Sequence, residues 1–112
     1  MGDRGQVLIE DEGVYLYTHW GSSELIEVVK EALKREQRWD DPEYLARIIF
    51  CQMLDGDTEG ETGYGIGSSE HGDINRLITL NCANKTVRAK HYDTVEFEGS
   101  FEEFIEKEFE NE

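Results

Sequence analysis

The chain has 112 residues, with 26 Asp and Glu against 11 Lys and Arg and a formal net charge of −15. Leu, Ile, Val and Phe make up about a quarter of it, above the roughly 20% below which a highly charged chain stays disordered. One domain over residues 1–112 is expected. No apolar run approaches the ~18 residues of a membrane-spanning helix, and the start lacks a secretory-signal pattern. Two cysteines are too few for a disulfide framework, so a cytoplasmic protein is expected.

In chain order, residues 6–10 and 14–18 alternate as two strands, joined by Asp11-Glu12-Gly13 with Gly13 where positive φ is needed. Ser22 and Ser23 then offer hydroxyls to cap a helix, whose apolar stripe is Leu25, Val28, Val29, Ala32 and Leu33. Asp41 as cap and Pro42 at the first helical position start a second helix. Its residues 44–54 are apolar nearly all round, the pattern of a central helix, which places Cys51 inside.

Residues 55–73 hold six glycines and form the one long loop, with a short strand inside it around Tyr64 to Ile66. Residues 76–80 read as a strand, turned at 82–85. From Thr86 to Glu98 the alternation puts Val87, Ala89, His91, Val95 and Phe97 on one face. Arg88, Lys90, Tyr92, Thr94, Glu96 and Glu98 fall on the other, with a kink near Asp93. Ser100 and Glu103 form a capping box opening a helix with the stripe Phe101, Phe104, Ile105 and Phe109.

The order β-β-α-α-(β)-β-β-α predicts an α+β fold. An antiparallel or mixed sheet of four to five strands packs against about three helices, mostly on one face; coverage of both faces is the alternative.

The charge is uneven. Residues 1–54 sum to −5 and residues 55–112 to −10. Asp55, Asp57, Glu59 and Glu61 form one block, and eight Glu from Glu96 onward form the other. Such a surface repels nucleic acid and anionic lipid and attracts cations or basic protein surfaces. Solubility and salt adaptation account for the same acidity without a partner.

Asp55, Asp57 and Glu59 followed by Gly60 overlap the start of a calcium loop. Ile66 stands where a bidentate Glu is needed, and no helix follows. A Ca²⁺ or Mg²⁺ site there is the alternative to a solvated acidic turn. His19, His71 and His91 make no close metal spacing, and no nucleophile elbow is present. His19 lies at a strand end beside Trp20, a common place for functional side chains.

Tyr15, Tyr17 and His19 share one strand face, and Arg88, Lys90 and Tyr92 share another. Three readings are open: a stacking platform for single-stranded nucleic acid, a dimer interface, or the packed inner face with the register off by one.

The stretches GVYLYTHWG at 13–21, RWDD at 38–41 and YLARIIFC at 44–51 resemble a group of short uncharacterised proteins from archaea, bacteria and their viruses. The resemblance covers roughly the first half and implies one small intact domain, with no catalytic role to carry over. The leading expectation is therefore a small acidic binding or regulatory protein acting through protein contacts rather than catalysis. Tyr15, Tyr17, His19, Trp20 and Tyr92 are its candidate contacts. A basic protein or a second copy of the chain is the partner expected. The alternative is a divalent-metal module or small metal-dependent enzyme built on Asp55, Asp57 and Glu59.

Overall fold

The structure, a computed structural model, describes residues 4–19, 21, 24–36, 39–54, 64–72 and 74–107. In chain order the elements are β1 (Gly5–Ile9), β2 (Val14–Thr18), α1 (Leu25–Leu33), α2 (Pro42–Leu54), β3 (Tyr64–Gly67), β4 (Arg76–Asn81), β5 (Thr86–His91), β6 (Thr94–Ser100) and α3 (Phe101–Glu106). The fold is α+β, and its mixed sheet has six strands, not four to five, in the order β3-β2-β1-β4-β5-β6. Only β1 and β4 run parallel; every other pairing is antiparallel.

The extra strand comes from the 86–98 run, which is a hairpin and not one kinked strand. His91 pairs with Thr94, leaving Tyr92-Asp93 as a two-residue loop, and Tyr92 takes φ +55° there. Favoured two-residue loops place positive φ at this position, so a turn can form where no glycine announces it. A bulge in β6 at the level of Ala89 and Lys90 then shifts the alternation. Val95 consequently pairs with Lys90 and is 48% exposed, instead of joining Val87 and Ala89.

Register assigns one face of the sheet to the core. Val7, Ile9, Leu16, Ile78, Leu80, Val87 and Ala89 are buried on it. They meet Leu25, Val29, Ala32 and Leu33 of α1, Leu45, Ile48, Ile49 and Met53 of α2, and Phe101 and Phe104 of α3. The three described helices therefore lie on a single face, as a two-layer sandwich.

Local rules explain most helix ends. Leu45 N–H donates to the Asp41 carbonyl at 2.9 Å, placing Pro42 in the first turn. Ser100 accepts from Glu103 N–H while the Glu103 carboxylate accepts from Ser100 N–H, a complete capping box. At α1 the cap position is Glu24, which makes no side-chain cap bond; Ser22 and Ser23 lie outside the described residues, as does Phe109. In α2 burial is one-sided: Tyr44 and Arg47 are exposed, and so is Cys51. Methyl-rich neighbours made Cys51 look internal, but its helical phase puts it opposite Leu45 and Ile49. Cys82 is the buried thiol, 2% exposed.

Candidate functional site

Among the described residues, no helix lies on the opposite face of the sheet. Two rows cross it, set by strand register: Gly65, Tyr17, Gln6, Leu77, Lys90 and Val95 in one, and Gly67, Tyr15, Leu8, Thr79, Arg88 and Glu98 in the next. Tyr15, Tyr17, Leu8 and Leu77 are half-buried. The inner-face reading of the tyrosines is thus overturned, because Leu16 between them is the residue that enters the core.

Part of this face is crossed by the chain itself. β3 is parallel to β4 but stands three strand positions away, with β2 and β1 between. Register puts Gly67 level with Leu8 and Arg76 level with Gly5, so between the end of β3 and the start of β4 the chain returns roughly 10 Å while moving roughly 14 Å sideways. The helices fill the other side, so the segment runs over the open face. It is fastened there at Gln6, which is 1% exposed. Gln6 Nε2 donates to the Ser69 carbonyl at 3.2 Å, and His71 N–H donates to Gln6 Oε1 at 3.0 Å. The His71 ring stacks on Tyr17, centroids 4.5 Å apart.

Tyr17 also connects to the strand end. Its hydroxyl lies 2.8 Å from His19 Nδ1, and Arg4 Nε donates to the same nitrogen at 3.3 Å. Arg4 Nε–H can only donate, so Nδ1 is the acceptor of that bond. The arrangement orders the strand end.

Two shallow cavities border the face. One of about 290 Å³ is lined by His71, Leu77, Lys90 and Tyr92; the other, of about 220 Å³, lies beside Thr79, Arg88 and Glu98. Arg88 pairs with Glu98 at 3.1 Å with both side chains more than half exposed. Tyr92 does not share the strand face with Arg88 and Lys90; it projects from the hairpin turn, 64% exposed, its ring 4.7 Å from that of His91. Sequence alternation could not show this, because the turn interrupts the period.

Gln6 and the fastening of residues 69–71 went unforeseen, since a polar residue inside an alternating strand reads as solvent-facing. Trp20, Asp55, Asp57 and Glu59 lie outside the described residues. Among the described residues, no group of three or more His, Cys, Asp or Glu is placed to hold a metal, and no helix is long and apolar enough to cross a membrane.

Comparison with protein-family models, curated proteins and solved structures finds no match for this chain.

Proposed function

We propose that this protein is a small acidic binding or regulatory protein that works through protein–protein contacts made by the open face of its sheet. The observation that supports this reading is the placement of Tyr15, Tyr17, Leu8 and Leu77. They sit half-exposed on the face away from the three described helices, next to Arg88 and Lys90. Tyrosine and arginine are enriched at protein interfaces, where one ring supplies both apolar area and a polar tip. His19, fixed at Nδ1, and Tyr92, projecting from its turn, flank the same region. Direct nucleic-acid binding is disfavoured by the net charge of −15.

A photo-crosslinking residue placed at Tyr15 tests the reading against the same residue at exposed Arg47 of α2. Protein adducts at position 15 that are absent at position 47 are expected. The same adduct pattern at both positions overturns the assignment of this face.

A further inference from the structure

We infer that the occupant of the open sheet face is a second copy of this chain, packed face to face about a two-fold axis; this rests on the protein-contact reading above. The argument begins with charge. Among the described residues, strands and crossing segment contribute Arg4, Arg88 and Lys90 to this face against Glu10, Glu70 and Glu98, a net of zero. The rim turns add Asp11, Glu12 and Asp93 against Lys85, so the described residues of this side sum to −2, against −5 for those of the helical layer. Two strongly acidic molecules repel over most approaches, and this face is one on which they meet with little like-charge cost.

Charge also selects among partners. Among the described residues, a basic protein meets more net acid on the helical layer than on this face. A second copy suits it because the face is self-complementary. Arg88 and Glu98 stand side by side on adjacent strands, and a two-fold axis allows each Arg88 to meet the other copy's Glu98. Isologous contacts of this kind are the commonest way soluble chains pair. The tyrosines and Leu8 and Leu77 then lose their remaining exposure against their own counterparts.

Size is adequate. The molecule measures 32 × 28 × 24 Å, so each side outlines roughly 670–900 Å², on the order of the ~800 Å² per partner in a standard interface.

Light scattering coupled to sizing tests this with the full chain. The expected mass is about twice 12.9 kDa at micromolar concentration. The dimer fraction should rise between 0.05 and 1 M NaCl, because salt screens the repulsion between the acidic remainders. Tyr15→Asp, which leaves the Tyr17–His71 stack in place, should give the monomer mass. Arg88→Glu and Glu98→Arg should each be monomeric and folded by circular dichroism, both side chains being more than half exposed. Mixed one to one, they should recover the dimer mass, since the opposite charges then meet only between chains.

A monomer mass for the unmodified chain at every salt concentration overturns the inference. If position 15 still yields crosslinks to another protein, the binding reading stands without it; if it yields none, both fail. A dimer unaffected by Tyr15→Asp, or mutants that remain monomeric on mixing, likewise overturns this geometry.

Discussion

Arg76 and Glu96 form a bidentate ion pair across β5, with Nε–Oε1 at 3.1 Å and Nη2–Oε2 at 3.0 Å. Arg76 is 6% exposed and the Glu96 side chain 26%. The partners belong to β4 and β6, which are not neighbours, and the β6 bulge accounts for their meeting. It inserts an extra residue opposite β5 and turns Glu96 to the side of the sheet on which Arg76 lies.

Glu96→Gln should therefore destabilise the fold measurably. Exposed pairs contribute about 0.2–1 kcal/mol, while breaking a fully buried pair costs about 3–5. With one partner buried and the other partly solvated, about 2 kcal/mol is expected, read as a lower urea midpoint at unchanged slope. Arg88→Met, at the exposed pair, should cost less than about 1 kcal/mol.

Gln6→Leu removes both hydrogen bonds that hold residues 69–71 over the sheet. The expected loss is about 1–3 kcal/mol. Amide exchange at Gly72 and at His71, whose N–H is one of the two donors, should accelerate well beyond that of β4. Uniform acceleration across the sheet would instead indicate that Gln6 supports the whole domain and not the crossing segment.

Tyr92 holds φ +55° in the β5–β6 turn, a conformation that costs a side-chain-bearing residue about 1–2 kcal/mol. Tyr92→Gly should relieve it, offset by lost backbone entropy and the ring contact with His91. A net gain of about 0.5–1 kcal/mol is expected, seen as a raised thermal midpoint.

Burial, reinforced by the Asp11 carboxylate, pushes the Cys82 thiol up from 9.0 to about 12. At pH 8, iodoacetamide should label the native protein once, at exposed Cys51, and twice after denaturation. The native state holds the Cys82 proton more tightly than the unfolded chain does. Its contribution to stability is thus complete below about pH 9 and is lost as pH rises toward 12. Cys82→Ala should flatten that alkaline decline.

Charge, patterning and caps were legible without coordinates. Alternation in 14–18, the stripe of Leu25 to Leu33, Asp41-Pro42 and the Ser100–Glu103 capping box specify their elements because helix and strand periods and end caps are local properties. Other features depended on neighbours distant in sequence. The turn at Tyr92 and the β6 bulge carry no glycine or proline signal, so the sixth strand and the Arg76–Glu96 pair emerged only from strand register. Cys51, expected inside, is exposed because burial depends on helical phase, and Cys82, in a turn, is buried by what packs above it. The candidate site followed the same division: alternation grouped Tyr15 with Tyr17, but which way they face was decided by where the helices dock. The sequence by itself determined an acidic α+β chain and its local elements. Only the tertiary structure decided that the described helices share one sheet face and that the chain after β3 crosses the other, because strand order and that path arise from contacts far apart along the chain.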